Sequence, residues 1–368
     1  MRIFQNSGLY PAYRRQFDQR HGTRHSFAER RELYLKERFG ALHFLLPIID
    51  RDTSGFFTNG DDEVLQRAWA TENGMPTNAS MSDILLAQIE EHRTEVFYNL
   101  DPMRYGSDFI RRLPGSVRHS LAWRAAPSPG ADFSAYSRVL NNFPSILESY
   151  RKAGWSVEYF APAHDPVMDK YAGRADRPID ILFVGGYTRH HQKRALILEA
   201  IAKLSDRFNV RYHLERSRMT RLAESPLGIW PSLNKYRRPA AIRRVSAAPV
   251  FGLDLYEALS RTKIVLNGAI DMSGNDRGNM RCFEAMGCGA LLFSDRGNYP
   301  DGMRENQNML LYDDVDDAEI RIKEALDNTE NIVRLAKNGR NMVEEVYGKK
   351  RQWQRFEEIV STIKTASR

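Results

Sequence analysis

NGAIDMSGNDRGNMRCFEAMGCGALLFS, residues 267–294, sets the reading of the whole chain. The apolar run KIVLN (263–267) stops abruptly at a loop rich in Gly, Ser, Asn and Asp. Met280 to Met286 then reads as one or two helical turns carrying Arg281 and Glu284. Gly287 and Gly289 end the turns, and Ala290 to Ser294 reads as the next buried strand. Strand, loop, short helix, strand, with small residues where backbone must come close, is a unit able to hold phosphate. The amides at a helix N-terminus lack intrahelical partners and carry partial positive charge. Arg281 adds a guanidinium at that end, and Glu284, one turn later, can accept hydrogen bonds from sugar hydroxyls. A nucleotide-sugar asks for that set, with donors for its diphosphate and a carboxylate for its ribose.

The same alternation of strand and helix runs outward in both directions. Upstream, Ile179 to Val184 is a buried strand followed by Gly185-Gly186. Gln192 to Leu204 is a helix, Val210 to Leu214 a strand and Leu253 to Ser260 a helix. Downstream, residues 317–326, 329–346 and 351–364 have helical spacing. Residues 161–178, with Pro162, His164-Asp165-Pro166, Gly173 and Arg177-Pro178, mark a boundary. Ahead of it, Arg2 to Asn6, Thr94 to Leu100, Val117 to Trp123, Tyr136 to Leu140 and Val157 to Phe160 read as strands. Tyr13 to Phe39, Ser80 to His92, Asp108 to Leu113 and Phe143 to Ala153 read as helices, and Ala41 to Ile49 as a buried strand or loop. Strands alternating with helices predict parallel sheets, hence an α/β protein of two halves.

Length and composition agree. A chain of 368 residues suits two domains of about 150–180 residues, and 42% hydrophobic with 27% charged residues are globular values. No run approaches the ~20 apolar residues of a membrane span, and MRIFQNSGLY lacks the apolar centre of a signal peptide. The two cysteines, Cys282 and Cys288, are too few for a disulfide framework or a cysteine metal site. A cytoplasmic protein is therefore expected, free or peripheral at the inner face of the membrane. The formal charge of +7 is uneven: residues 211–245 hold nine Lys/Arg and two acids, so this segment carries the whole excess. Such a cluster suits phosphate, nucleic acid or an anionic membrane, or is a solvated face.

From about residue 135 onward the sequence resembles the GT-B glycosyltransferases, and within them the spore-maturation type with a group-1 C-terminal domain. The resemblance rests on Phe183-Val184-Gly185-Gly186, on Pro249-Val250-Phe251-Gly252 followed by LSRTKIVLN (259–267), and on MRCFEAMGCGA (280–290). It implies two Rossmann-like domains facing across a cleft: residues 1–165 for the acceptor, 166–348 for the donor nucleotide-sugar, and a C-terminal helix at 349–368 crossing back to the first. The activity implied is metal-independent transfer of a hexosyl-type sugar from a nucleotide diphosphate to a glycan, lipid-linked or protein acceptor. No cofactor, metal or nucleic-acid partner is expected. The competing reading is a non-catalytic nucleotide- or RNA-binding protein using the basic 211–245 segment.

The resemblance also distributes roles. Glu284 matches the second acid of the E-x7-E motif and is implied to bind ribose; the alternative is an ion pair with Arg281. The first acid falls on Asp276, a methylene shorter, so a sugar contact and simple loop solvation stay open. Arg281, with Asn279 and Met280 beside it, is implied to hold the diphosphate. Gly185 and Gly186 follow the first strand of the donor domain, with Arg189, His190 and Arg194 as phosphate-side cations. Phe251 and Gly252 fall at the nucleobase, or Phe251 is ordinary core. For the catalytic base the candidate is Asp101, at the end of TEVFYNL, which as Asp101-Pro102 is equally a turn former.

Overall fold

A computed structural model of the chain describes residues 1–188, 191–268 and 274–363. Two compact units emerge: Met1–Ala163 together with Tyr347–Arg368, and His164–Val346.

The first unit is built on β1 (Ile3–Ser7), β2 (Gly55–Asn59), β3 (Val96–Asn99), β4 (His119–Trp123), β5 (Arg138–Asn141) and β6 (Val157–Tyr159). The spatial order is β2-β1-β3-β4-β5-β6, and every pairing is parallel. The second unit uses β7 (Ile179–Gly186), β8 (Val210–Glu215), β9 (Ser246–Ala247), β10 (Thr262–Leu266), β11 (Leu291–Asp295) and β12 (Met309–Tyr312). Their order is β12-β11-β10-β7-β8-β9, again parallel throughout. Parallel neighbours need crossover connections, and helices on both faces bury the central strands. That is why the central strands read as unbroken apolar runs. Ile181, Phe183, Ile264, Leu266, Leu291 and Phe293 form one core with Ile197, Leu198 and Ile201 of the helix Gln192–Lys203. The expected α/β class with two doubly wound parallel sheets is what the chain adopts.

Three local readings differ from expectation. The span 13–39 is two helices, Pro11–His21 and Phe27–Glu37, the second opened by a capping box between Ser26 and Glu29. The span 41–49 is neither strand nor open loop, but a 3-10 turn, Ala41–His43, and a short helix, Leu46–Ile49, with Pro47 in its first turn. Three of its carbonyls accept from one distant side chain, those of Ala41 and Leu42 from backbone amides as well. Lys349 Nζ donates to Ala41 O at 2.8 Å, Leu42 O at 2.9 Å and Phe44 O at 2.8 Å. The helix Lys349–Ser361 that carries Lys349 therefore completes the first unit. Finally, β2 and the helix Glu63–Glu72 lie where the sequence suggested no element.

One buried ion network fixes this first unit. Arg30, fully buried, donates from Nε to Asp62 Oδ2 at 2.6 Å and from Nη2 to Asp18 Oδ1 at 2.6 Å. Tyr34 Oη donates to the same Asp62 oxygen at 2.7 Å, and Asp62 caps the helix Glu63–Glu72.

Candidate nucleotide-sugar site

In the second unit the chain runs from β7 outward to β8 and β9, then returns to the other side of β7 with β10. The strand order thus reverses between β7 and β10. Ligands of doubly wound sheets bind outside the strand ends at such a switch point. Gly185-Gly186 closes β7 and Asn267-Gly268 follows β10, so both turns open at this place.

Asn267 organises the edge. Its amide nitrogen donates to Phe293 O at 2.8 Å. Its side chain donates to Ser294 Oγ at 3.0 Å and accepts from Asn279 Nδ2 at 3.1 Å. Tyr312 Oη donates to its carbonyl at 2.7 Å. One buried asparagine therefore ties together β10, β11, β12 and the start of the helix Met280–Gly287. Asn279 sits at the N-cap of that helix, yet its side chain makes no capping bond and turns to Asn267 instead. Before it, Gly278 has φ 115°, a conformation that only glycine takes without strain, and it aims the helix start back at the strand ends.

On the helix itself, Arg281 Nη1 donates to Glu284 Oε2 at 2.7 Å. Both side chains are largely shielded, and burial raises the Glu284 carboxyl above its ordinary range while Arg281 opposes the rise. Arg281 Nε is buried and makes no hydrogen bond. A buried donor at a helix start suits a phosphate oxygen. His213 of β8 shares this field: burial first, then the charges of Arg211 and Arg281, push its pKa down. It is anchored by donation from Nδ1 to Ala248 O.

Arg194, in the first turn of Gln192–Lys203, lies over the other turn. A Cβ on Gly268 would stand 3.7 Å from Arg194 Cγ and 3.1 Å from Tyr312 Oη, so only glycine leaves this approach open. Arg277 is committed differently. It pairs with Asp295 at 2.6 Å and donates to the carbonyls of Gly274 and Arg296. Asp276 is buried in a parallel bridge with Asn298, whose Nδ2 donates to Asp276 Oδ1 at 3.4 Å. The loop contact is thus visible for Asp276. Phe251 is the half-buried N-cap of Gly252–Ser260, and Gly252 opens that helix. Arg189 and His190 lie outside the described residues.

Residues 189–358 match the family model described as Glycosyl transferase-like. This segment is similar to the glycosyl transferase-like family. The matched segment takes in the helix Met280–Gly287 and most of the second unit. No curated protein matches the chain in sequence. Solved structures match over the full length. Alr3699/HepE of Anabaena, crystallised with UDP and glucose, is 13% identical with a TM-score of 0.58, covering 98% of this chain and 100% of its own. An alpha-glucosyltransferase solved with UDP-glucose and DNA containing an abasic site is 12% identical with a TM-score of 0.60, covering 98% of each chain. A glycosyltransferase of Rickettsia africae is 13% identical with a TM-score of 0.51, covering 99% of each. At such identities the likeness establishes the fold, which is GT-B.

Metal-ligating arrangements are absent among the described residues: no group of three or more His, Cys, Asp or Glu converges. The two Asp-x-Asp triplets serve local structure, Asp52 bonding Ser54 N in a turn and Asp314 capping the helix Val315–Asp327. Both cysteines are buried thiols, and burial pushes Cys282 up to about 12.

The first unit has its own switch point, between β1 and β3, and Asp101 follows β3 there. Asp101 N donates to Asn99 Oδ1 at 3.0 Å, and Arg104 Nε stands 3.3 Å from Asp101 Oδ2. Sequence reasoning missed its neighbour Asp61, which follows β2. Asp61 Oδ2 accepts from Leu9 N at 3.0 Å, while its Oδ1 is buried without a partner. Burial raises its carboxyl to about 6, and the negative charge of Asp101 adds to the rise. The available signal was the turn Asn59-Gly60-Asp61, similar to Asn6-Ser7-Gly8 after β1.

Proposed function

We propose that this protein is a glycosyltransferase of the GT-B class, akin to the spore-maturation type, that uses a nucleotide-diphosphate sugar without a catalytic metal. The observation that carries this reading is the Arg281–Glu284 pair on the helix Met280–Gly287, inside the glycosyl transferase-like segment. On binding, Arg281 and the helix amides take the diphosphate oxygens, and Glu284 accepts from the ribose hydroxyls. Arg194 approaches the same phosphates over Gly268. The bond from the sugar's anomeric carbon to the phosphate oxygen breaks, and a bond to an acceptor hydroxyl forms. The electron pair leaves on the nucleoside diphosphate, where cations and helix dipole stabilise it. The hydroxyl proton goes to a base, for which Asp61 and Asp101 of the first unit are the candidates. The acceptor is a glycan, free or attached to lipid or protein.

Because two similar structures hold UDP or UDP-glucose, UDP is the first nucleotide to test. A thermal-shift series with UDP, GDP, ADP, CMP and dTDP decides. A ligand present at 100 times its Kd stabilises by about 2.7 kcal/mol. One diphosphate should raise Tm clearly, and Glu284→Ala should abolish the rise. A flat response to all five would refute the reading.

A further inference from the structure

Between β8 and β9 the chain folds into a small lobe with buried cations inside and several large apolar side chains exposed among cations outside. Its interior is held by cations. Arg238, buried, makes a bidentate pair with Glu224 at 2.6 and 2.8 Å. Arg237 donates to Ala223 O at 2.9 Å and Gly228 O at 2.7 Å. These contacts lock the helix Arg218–Ala223 against the 3-10 turns that follow it. The helix turns Ala223 inward and leaves Arg218, Met219, Arg221 and Leu222 exposed. Met219 is 37% exposed, Leu222 40%, Tyr236 37% and Trp230 67%, the largest value among the exposed large hydrophobic residues. Four large apolar side chains thus stand in solvent within eighteen positions, interleaved with cations.

The charge is one-sided. Of the two acids in 211–245, Glu224 is taken up by Arg238 and Arg216, so within the segment only Glu215 is left to oppose the exposed Arg211, Arg218, Arg221 and Arg243. Exposed apolar groups rimmed by charge mark an interaction surface. Exposed Trp and Tyr beside Arg and Lys, with the one acid of 216–236 held by Arg238 and Arg216, match the headgroup layer of an anionic bilayer, where amphipathic rings sit at the interface and cations meet phosphates. The match to single-stranded nucleic acid is poorer, since stacking on bases needs a platform of several rings along a groove. Here Trp230 and Tyr236 are accompanied by aliphatic Met219 and Leu222, which bases do not use and acyl chains do.

We propose that the 216–236 lobe is a membrane-surface anchor that seats on anionic phospholipid, with Trp230, Met219 and Leu222 entering the interface and Arg218 and Arg221 contacting headgroup phosphates. The lobe follows the C-terminal end of β8, which pairs with Gly186 through Glu215, so it leaves the sheet from the edge that carries the nucleotide-sugar candidates. The proposal stands independently of the sugar-transfer reading.

Vesicle co-sedimentation of the full chain tests it, with phosphatidylcholine alone and with phosphatidylglycerol added. The expected result is binding only to the anionic vesicles, weakening with salt. Arg218→Glu/Arg221→Glu should weaken it at least tenfold, and Trp230→Ser several-fold, each with Tm unchanged. Arg334→Glu/Lys337→Glu, the same charge change on an exposed face of another helix, should leave binding intact. No binding to anionic vesicles, equal loss in the control variant, or tighter patch-dependent binding to single-stranded RNA than to vesicles would each overturn the assignment. Loss of UDP response with vesicle binding retained would count against the transferase alone.

Discussion

Arg281 and Glu284 neutralise each other across one helical turn, Nη1 to Oε2 at 2.7 Å, in a place where both are shielded from water. A pair that compensates itself can exchange partners when a diphosphate arrives for the guanidinium and a ribose for the carboxylate. Hydrogen bonds to charged groups contribute about 1.5–3 kcal/mol. Glu284→Gln should therefore weaken UDP binding roughly 10- to 100-fold by isothermal titration calorimetry. Because the carboxyl pKa is raised, wild-type affinity should also begin to fall at a higher pH than for an ordinary glutamate as the solution is acidified. Unchanged affinity with a lowered Tm would mean that the pair serves the helix and not a ligand.

Asp61 gives a pH signature in stability. Its folded pKa, about 6, lies above the ordinary value of 3.8. A raised carboxyl favours the folded state below the unfolded pKa, and that contribution is lost as pH rises through about 6. Asp61→Asn keeps an acceptor for Leu9 N and removes the charge. It should stabilise the chain at pH 8 by about 1–3 kcal/mol relative to wild type, with the difference vanishing near pH 4. Urea denaturation at the two pH values measures it, and an equal effect at both would sink the account.

Arg30 is fully buried between Asp62, Asp18 and Tyr34. Removing one member of a buried ion pair leaves an uncompensated charge and costs about 3–5 kcal/mol. Arg30→Met should destabilise by that amount in urea. Arg30→Met/Asp62→Asn should recover part of it, since the stranded carboxylate is gone. If the double variant were no better than the single, the cost would lie in packing instead.

Lys349 donates to three carbonyls of the 41–44 turn, Gln352 Nε2 joins it at Leu42 O, and this turn holds Gln5 of β1 through His43 O and Leu45 N. Burial and the Lys349 charge together hold His43 neutral, its pKa near 3. Lys349→Met should cost about 1–3 kcal/mol, because the three carbonyls lose a shared charged donor although Ala41 O keeps Phe44 N and Leu42 O keeps Ala163 N and Gln352 Nε2. Hydrogen-exchange mass spectrometry should show faster exchange over residues 3–7 and 41–45, with residues 291–295 unaffected. Protection unchanged in the first unit would contradict this role.

Much of the architecture was legible because strands buried on both faces advertise themselves. ILFV (181–184), VRYHL (210–214) and KIVL (263–266) are runs that no amphipathic helix would write, and all three are strands. GFFTN (55–59) escaped because it is short, begins with glycine and follows the turn of Asp52. The turn at 41–49 escaped because its stabilising lysine lies some three hundred positions away, a distance no local pattern spans. The Arg281–Glu284 helix was readable from spacing alone. The role of Asn267 as a hub was not, since its partners Asn279, Ser294 and Tyr312 come from three elements. Asp61 was invisible for a like reason: its environment is made by Leu9 and Asp101, brought to it by neighbouring strands.

The helix Lys349–Ser361 closes the first unit, yet it is translated after the whole of the second. Domains usually fold in the order in which the ribosome releases them. Here the N-terminal unit emerges with the carbonyls of 41–44 still lacking their lysine, and at roughly 5–20 residues per second the wait is on the order of ten to forty seconds. During that interval the nascent first unit is incomplete while the second can finish on its own. The order of maturation is thereby inverted, and any chain released early by premature termination is left with its first half unsealed, open to chaperones and proteases.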